Sequence, residues 1–358
     1  MDTDKQVYLN TASCGIVTAE VLAPARELYE SFAGIASTSS EQWRANDEAA
    51  IRQSVAAFIG APASNVALVP NFSWAINGIV QSLKGTEKVL LYKGDYPSFV
   101  EPFRINNFRI TWVDAPDGFA IDMEAVTRAI VNKEVDIVAL SHVQWGSGYK
   151  LDLKYIGDLC YKHNVIFMVD ATQSLGAMHI NLFELRMDVF IASNYKWMNA
   201  GFGTGILYLS DDFMRWYPPV VGGHNSYKMI GDEWQYAPSI LSYEPGHPNM
   251  FGLTVLAAAI HRKNKLTMAH IEQHNLVLMQ VLLDNLRELP VAILGDYLTH
   301  SRAPIVVLHD MDGLGAHIGR CGFVVTQRKG MLRVSTHYHN TLDEVLSLVE
   351  CIKNGGKK

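Results

Sequence analysis

The stretch Phe167–Gly205, FMVDATQSLGAMHINLFELRMDVFIASNYKWMNAGFGTG, decides the fold. Two apolar runs of strand length belong to it: VIFMVD, which starts at Val165 and ends in Asp170, and DVFIAS, which ends at Ser193, three residues before Lys196. The glycine-rich turn Gly201–Gly205 follows and leads into a third apolar run, GILYL. Near-continuous apolar runs of this length are typical of strands that are buried on both faces of a parallel sheet.

Asp170 and Lys196 offer an acid and an amine at the ends of neighbouring strands. A buried carboxylate without a partner is costly, so Asp170 must reach water, cap the next helix or pair with a cation. A lysine in a partly apolar pocket becomes a usable amine nucleophile. Pyridoxal phosphate requires both groups, because it forms a Schiff base with a lysine and its ring nitrogen stays protonated beside an anion. The ordinary alternatives are a helix N-cap for Asp170 and a solvated surface position for Lys196.

Helix and strand patterns alternate along the chain up to about residue 250. This alternation predicts an α/β fold, with a large domain (15–250) built on a mostly parallel sheet that is covered by helices. Beyond it, long helical patterns precede strand-like runs and a last helix. These predict helices at 253–262, 266–289 and 342–353, and strands at 304–308, 322–327 and 331–335. We expect a smaller α+β domain there (251–358), joined by residues 1–14.

Other polar and aromatic residues also follow predicted strands, at the sheet edge where ligands of such folds bind. Asn71-Phe72-Ser73 opens a helix and could bind an anion through free N–H groups, or simply cap that helix. Tyr96 could stack on an aromatic cofactor or be an ordinary loop residue. Arg333 could hold a carboxylate by two parallel hydrogen bonds, or form a surface ion pair.

Composition and motifs narrow the classes of function. The 358 residues are 49% hydrophobic and 18% charged, with a net charge of −6, which is ordinary for a globular protein without the basic face that nucleic acids require. The start MDTDKQVYLN does not resemble a signal peptide, and no apolar run approaches a membrane span. We therefore expect a cytoplasmic protein without nucleic-acid or membrane partners.

The cysteines and histidines predict neither disulfides nor a metal site. No pair has CxxC spacing, and HIEQH differs from the zinc motif HExxH. The four cysteines are Cys14, Cys160, Cys321 and Cys351. The GFGTG turn precedes a strand, whereas a dinucleotide fingerprint follows one.

Taken together, these stretches resemble the class V aminotransferase superfamily of fold type I pyridoxal-phosphate enzymes. The superfamily includes cysteine desulfurases, kynureninases and isopenicillin N epimerase-like proteins. The resemblance runs from YLNTAS to LRVSTHYHNTLDEV and is most specific in VDATQSLG and DVFIASNYKWMNAGFGTGILYL.

The resemblance implies a role for each candidate residue. Lys196 would be the Schiff-base lysine and the base that moves the α-proton, Asp170 would pair with the pyridinium nitrogen, and Gln173 would lie near the phenolic oxygen. Tyr96 would stack on the ring, and Trp145 would flank the cofactor or the substrate. The implied phosphate contacts are Phe72, Ser73, Ser193 and Tyr195. The substrate α-carboxylate would bind Arg333, with Asn10 nearby.

The resemblance also implies a homodimer with shared active sites. Relatives carry FEPGTPN, whose threonine reaches the phosphate of the neighbouring subunit, and this chain has YEPGHPN with His247 in its place. Three aromatic residues in the preceding segment, Tyr227, Trp234 and Tyr236, could line a pocket or lid, or lie on a plain surface loop.

Departures from the family patterns bear on the reaction. The interval TQRKGMLRVS before Arg333 lacks the nucleophilic cysteine of desulfurases, and Cys321 is better explained as a packed thiol. Kynureninases carry an aspartate where Phe99 stands, and a histidine where Gln173 stands. We expect β-elimination of the C–S lyase type or transamination of an α-amino acid, with epimerisation and kynureninase-like hydrolysis as alternatives. A non-catalytic binding protein on the same fold is the alternative from another class. His337 and His339, at a strand end, could lie near the site.

Overall fold

The computed structural model describes residues 6–220, 222–296, 298–311 and 313–355. The terminal segments of the predicted domains, 1–5 and 356–358, lie outside the described residues. The strands are β1 (Val7–Tyr8), β2 (Val66–Val69), β3 (Lys88–Tyr92), β4 (Arg109–Val113), β5 (Ile137–Ser141), β6 (Ile166–Asp170), β7 (Val189–Ser193), β8 (Gly205–Leu209), β9 (Tyr227–Ile230), β10 (Glu233–Tyr236), β11 (Ile305–His309), β12 (Phe323–Val324), β13 (Thr326–Arg328) and β14 (Met331–Ser335). The helices are α1 (Ala19–Asn46), α2 (Glu48–Ile59), α3 (Phe72–Ser82), α4 (Pro97–Ile105), α5 (Met123–Val131), α6 (Leu153–His163), α7 (Asp211–Trp216), α8 (Met250–Leu266), α9 (Met268–Arg287), α10 (Leu314–Arg320) and α11 (Leu342–Gly355).

A seven-stranded sheet in the order β2-β8-β7-β6-β5-β3-β4 forms the centre of the fold. All neighbours in it pair in parallel except β8, which runs antiparallel to both β7 and β2. The α/β fold with a mostly parallel sheet is therefore confirmed. The carboxyl ends of β5, β6 and β7 lie side by side, which places the residues that follow them at one edge.

Alternate residues of the central strands enter two separate cores. In β6, Phe167 and Val169 pack into the core that α1, α2, α5, α6 and α8 cover. Ile166 and Met168 point the other way, into the core beneath α3, α4 and α7. Burial on both faces explains why these strands are apolar throughout and do not alternate with polar residues.

A third core lies in the C-terminal part of the chain. There the antiparallel sheet β11-β14-β13 packs with α9, α10 and α11, and Leu9 belongs to the same core. Strand β1 pairs in parallel with β12, so the N-terminal strand joins this part of the fold. Helix α8 instead packs against α1 in the first core. The division at residue 250 stays a prediction, and the packing of α8 favours a boundary after this helix.

Several elements differ from the pattern-based expectations. The expected strand 322–327 is divided into β12 and β13, which pair with β1 and β14 respectively, and the expected helix 253–262 is the longer α8. The helical pattern of residues 20–34 predicts a first helix, and α1 continues beyond it to Asn46, with non-helical dihedral angles at Ile35. The expected helix 266–289 starts only at Met268, because Thr267 adopts a positive φ and caps it. The aromatic segment forms the hairpin β9–β10, in which Tyr227, Trp234 and Tyr236 are exposed. Among the described residues, no helix is both long and apolar enough to cross a lipid bilayer.

Candidate active site

A cavity of about 350 Å³ opens at the carboxyl ends of β5, β6 and β7 and at the N-terminus of α3. Nine of the residues singled out in the sequence line it. They are Phe72, Ser73, Tyr96, Trp145, Asp170, Gln173, Ser193, Tyr195 and Lys196. These residues come from five separate segments that follow strands, and the sheet brings them together.

Lys196 lies in the loop that connects β7 to β8 and is only 7% exposed. Its ammonium is 5.7 Å from the ring centre of Tyr96 and 5.5 Å from that of Tyr195, and no hydrogen bond to it is recorded among the described residues. Burial lowers the pKa of Lys196, Asp170 opposes this shift, and the positive charge of Arg333 adds to it. The side chain is therefore an amine with an increased neutral fraction, aimed into the cavity.

Backbone contacts fix the Lys196 loop from the N-terminal side. The amide of Gly15 donates to the carbonyl of Tyr195 at 2.8 Å, and a Cβ on Gly15 would lie 1.9 Å from the carbonyl oxygen of Lys196. Any side chain at Gly15 would therefore push the two segments apart. Asn199 adopts a positive φ of 58° and donates its amide to Lys196, which closes a tight turn.

Beneath this loop lies a buried polar network around Lys263 and His337, which are 1% and 0% exposed. The ammonium of Lys263 donates to the carbonyl of Gly176 and to Oδ1 of Asn199, each at 3.2 Å. Nε2 of His337 lies 3.0 Å from both the carbonyl of Trp197 and Oδ1 of Asn199. Burial lowers the pKa of both side chains well below their ordinary values. The network supports the loop from below, and neither side chain lines the cavity.

His339, two residues further on, is partly buried, and this burial lowers its pKa to about 4. It does not line the cavity either. Thus His337 lies directly behind the site and His339 lies outside it.

Asp170 ends β6 with its carboxylate 6% exposed in the cavity. Its Oδ1 accepts a hydrogen bond from the amide of Thr172 at 2.8 Å, and the Thr172 hydroxyl in turn accepts one from the amide of Ser193. Burial raises the pKa of Asp170, the hydrogen bonds of Thr172 lower it, and the charge of Asp95 raises it further. No cation lies within ion-pair distance of Asp170 among the described side chains. The carboxylate therefore fits a ligand that brings a positive charge into the cavity.

Gln173 is held at both ends of its amide. Its Nε2 donates to the carbonyl of Ala12 at 3.0 Å, and its Oε1 accepts from the indole of Trp197 at 2.8 Å. The side chain lines the cavity in one fixed orientation, which also ties the N-terminal segment to the Lys196 loop.

The N-terminus of α3 forms the end of the cavity that fits an anion. Asn71 caps the helix by accepting a hydrogen bond from the amide of Trp74 at 2.9 Å. The amide of Phe72 donates to the hydroxyl of Ser193 at 2.9 Å, so that Ser193 and the first turn of the helix face the same space. The amides of Phe72 and Trp74 already have acceptors, and the positive end of the helix dipole together with the hydroxyl of Ser193 suits a phosphate at this position.

Two aromatic residues, Tyr96 and Trp145, form an aromatic wall along part of the cavity. The rings of Tyr96 and Trp145 meet edge to face, with centroids 5.8 Å apart, and the Trp145 indole donates to the carbonyl of Gly94 at 3.1 Å. Buried Asp95 accepts hydrogen bonds from the amide of Tyr96 at 2.7 Å and from Ser141. Asp95 thus fixes the start of this wall. The sequence did not single it out, because an acid in a Gly-Asp-Tyr-Pro turn is usually only a turn residue.

Arg333 and Asn10 lie beside the cavity and are not among its lining residues. The guanidinium of Arg333 donates to the carbonyl of Trp145 and to the hydroxyl of Ser13, both at 2.7 Å. Its Nε is buried and has no hydrogen-bond partner in the part of the chain that the structure describes. Asn10 accepts a hydrogen bond at 2.6 Å from Thr326, whose hydroxyl is 3.4 Å from Arg333. One donor of the arginine is therefore unused in this arrangement.

Two further residues complete the surroundings. His247 is exposed and lines a separate cavity with Thr204 and Glu244, where its Nδ1 lies 3.2 Å from Arg44. The structure does not bring it into the cavity of its own chain. Cys14 is half-buried next to Gly15 and lies close enough to Lys196 for their charges to interact. The sequence gives Cys14 no motif that would indicate this position, since it follows the first strand in an ordinary polar turn.

The residues of the cavity fit pyridoxal phosphate. Three features occur together in one small cavity: a buried amine that has no hydrogen-bond partner among the described residues, a buried carboxylate that has no cation beside it among them, and the N-terminus of α3. Each matches one polar group of that cofactor: its aldehyde, its ring nitrogen and its phosphate.

Comparisons with known proteins agree with this assignment. A probable cysteine desulfurase of Pyrococcus abyssi is 25% identical, with 82% of this chain and 79% of the relative covered. The chain is similar to the apo structure of a cysteine desulfurase from Thermococcus onnurineus NA1 (TM-score 0.85, 22% identity, 98% and 94% covered). It is equally similar to a cystine C–S lyase in complex with its reaction product cysteine persulfide (TM-score 0.85, 19% identity, 98% of both chains covered).

The family model of class V aminotransferases matches residues 7–348. The resemblance seen in the sequence is therefore confirmed, and pyridoxal phosphate is the cofactor. This chain belongs to the class V aminotransferase family and is a pyridoxal-phosphate-dependent enzyme, a transferase or lyase.

Proposed function

We propose that the protein catalyses β-elimination from a sulfur-containing α-amino acid without forming a persulfide on its own chain. The observation that carries this proposal is the composition of the cavity: Lys196 lines it, and none of the described residues that line it is a cysteine. Relatives named as cysteine desulfurases and a similar structure named as a cystine C–S lyase support a sulfur-containing substrate.

Lys196 and the bound cofactor would carry out the bond-breaking steps of the β-elimination. Pyridoxal phosphate, when bound, supplies an electron sink for negative charge at the substrate α-carbon. Lys196 takes the α-proton, since burial has lowered its pKa and made the neutral amine accessible. The electron pair of the broken C–H bond forms the Cα–Cβ double bond, and the sulfur leaves with the electrons of the C–S bond.

The other residues bind and orient. Asp170 balances the positive charge of the ring nitrogen, and the N-terminus of α3 with Ser73, Ser193 and Tyr195 binds the phosphate. The aromatic wall of Tyr96 and Trp145 limits access of water from one side. Arg333 binds the substrate carboxylate through Nε.

Transamination uses the same residues and is the second outcome that the family allows. In transamination, the proton that Lys196 takes from the α-carbon would be returned to the aldehyde carbon of the cofactor. The amino group would then stay on the enzyme until a second substrate accepts it. Epimerisation would return the proton to the opposite face of the α-carbon, and a kynureninase-like reaction would consume water. A non-catalytic protein would show none of these products.

Product analysis of the purified holoenzyme tests the proposal. We expect L-cysteine or L-cystine to yield pyruvate and ammonia at equal rates, with Lys196→Ala as the inactive control. Alanine together with a persulfide on the protein would overturn the proposal. If the enzyme instead converts alanine and a 2-oxo acid into pyruvate and a new amino acid, and releases no sulfur from cysteine, the proposed β-elimination is replaced by transamination.

The cytoplasmic location stays a prediction. We also propose that the protein forms a homodimer. The exposed hairpin with Tyr227, Met229 and Trp234, together with exposed His247, supports a contact between two copies. Mixing inactive Lys196→Ala and impaired His247→Ala subunits tests shared sites. If His247 serves the partner's cavity, the mixed dimer contains one site with both intact residues, so activity above that of either variant is expected. A monomer in light scattering, or no gain on mixing, would contradict it.

A further inference from the structure

A cluster of two thiols and one imidazole lies in the C-terminal part of the chain, away from the active-site cavity. It consists of His317 on α10, Cys321 at the end of that helix and Cys351 on the neighbouring helix α11. One ligand atom from each of the three residues lies within 4.8 Å of the others. None of the three lines the active-site cavity, and the proposed reaction does not use them.

The local structure explains why the three side chains meet. His317 and Cys321 are four residues apart, and the amide of Cys321 donates to the carbonyl of His317 at 3.0 Å, so both side chains lie on one helical face. Helix α11 packs against α10 and presents Cys351 to that face. The imidazole of His317 lies against Gly355, where a Cβ would be 2.6 Å from its ring, so the absence of a side chain there makes room for it.

We propose that His317, Cys321 and Cys351 bind a thiophilic divalent cation of the zinc class, with water in the fourth position. Two sulfurs, one nitrogen and no carboxylate select zinc-like cations over magnesium or calcium, which prefer oxygen ligands.

The distances suit a tetrahedral site. Zinc–sulfur and zinc–nitrogen bonds of about 2.3 and 2.0 Å place a sulfur and a nitrogen ligand about 3.6 Å apart. The separation of Cys321 Sγ and His317 Nε2 is 3.6 Å. Since no pair exceeds 4.8 Å, Cys351 needs to move by only about 1 Å to complete the set.

Binding requires one existing contact to be given up. Nε2 of His317 lies 3.1 Å from the carbonyl of Cys351, and a nitrogen that binds a cation cannot also donate there. The exposed side of Cys321 provides the path of entry and the position for the water. The bound cation would connect α10 to α11.

Cobalt is a suitable probe because its visible bands report tetrahedral coordination, and thiolate ligands add charge-transfer absorbance. We expect holoenzyme that has been washed with a chelator and kept reduced with a phosphine to bind one Co²⁺ per chain. The complex should show both the tetrahedral visible bands and the charge-transfer absorbance, and added Zn²⁺ should displace Co²⁺ and remove both signals. Cys321→Ser and His317→Gln should weaken binding by at least about tenfold, the lower end of what even the loss of an outer-shell contact costs a metal site. Cys160→Ala, which removes a thiol elsewhere, should bind like the unaltered protein.

A second measurement uses the unaltered protein alone. Zn²⁺ should slow alkylation of Cys321 severalfold in mass-spectrometric peptide analysis, while Cys14 serves as the internal reference. The proposal is overturned if cobalt gives no tetrahedral bands, if Cys321→Ser gives the same spectrum, or if Zn²⁺ leaves the alkylation rate of Cys321 unchanged.

Discussion

Replacement of Arg333 by lysine tests how the enzyme holds the substrate carboxylate. Two of the guanidinium nitrogens already donate to Trp145 and Ser13 at 2.7 Å, whereas Nε is buried without a hydrogen-bond partner. The contact from Nη2 to Thr326 is long, at 3.4 Å. A carboxylate can therefore bind to Nε and Nη2 together while displacing only the weakest existing contact. Lysine retains the charge but offers no planar pair of donors.

The magnitude follows from the number of hydrogen bonds. Hydrogen bonds to charged groups contribute roughly 1.5–3 kcal/mol each, and lysine can replace one of the two. Loss of the second hydrogen bond to the carboxylate corresponds to a decrease of roughly 10- to 150-fold in kcat/KM. Because the carboxylate does not change during the reaction, we expect most of the loss in KM.

The assay compares an amino acid with its decarboxylated amine, for example cysteine with cysteamine, in both proteins. The unaltered enzyme should prefer the amino acid, and Arg333→Lys should lose the greater part of that preference. The absorbance of the bound cofactor serves as the control for an intact site. If Arg333→Lys lowers kcat/KM equally for both compounds, the arginine does not bind the carboxylate and the reasoning is refuted.

Three other substitutions give further predictions. Lys196→Ala should abolish the borohydride-sensitive visible band and lower turnover by at least about 10²-fold, and a variant that keeps the band would contradict the assignment of the lysine. Cys14→Ala should change the rate of sulfur release by less than about tenfold, or 1.4 kcal/mol, and a larger loss with disappearance of a protein persulfide by mass spectrometry would show that this thiol reacts. Burial lowers the pKa of Lys263 in the folded protein below its unfolded value, so the unfolded chain binds the extra proton and the free energy of unfolding should rise with pH between these two pKa values. Lys263→Met should remove this contribution, which is at most about 1.4 kcal/mol per pH unit. Urea denaturation at several pH values gives the free energy of unfolding of both proteins, and the same dependence of that free energy on pH in both would contradict the prediction.

Much of the sheet could be predicted from the sequence because its strands are short, apolar and separated by helical patterns. The strands ending at Asp170 and Ser193 were placed within one residue. The antiparallel direction of β8 could not be predicted, since a strand buried on both faces has the same apolar pattern in either direction. The hairpin β9–β10 was also missed, because its exposed residues form no apolar pattern.

The candidate site was predictable where a residue directly follows a strand. Lys196, Asp170 and Tyr96 were found in this way and meet in one cavity. Lys263 could not be found, since a lysine in a helical pattern is usually solvated and its partners come from distant segments. Asp95 was missed for a related reason: its carboxylate acts through Ser141, which follows much later in the chain.

The antiparallel pairing of β7 with β8 has a consequence for the order of folding. The two strands that flank the Lys196 loop pair with each other, with Ser193 opposite Gly205, so local contacts bring the ends of the loop together, whereas Gly15 and Lys263 hold the loop itself from distant parts of the chain. Such hairpins form within about 1–10 μs, whereas β5 and β6 must wait for helical crossovers to close. We expect the hairpin of β7 and β8 to form early, and the positions of Lys196 and Asp170 to be fixed only when the distant segments have packed, so that capture of the cofactor marks the end of folding.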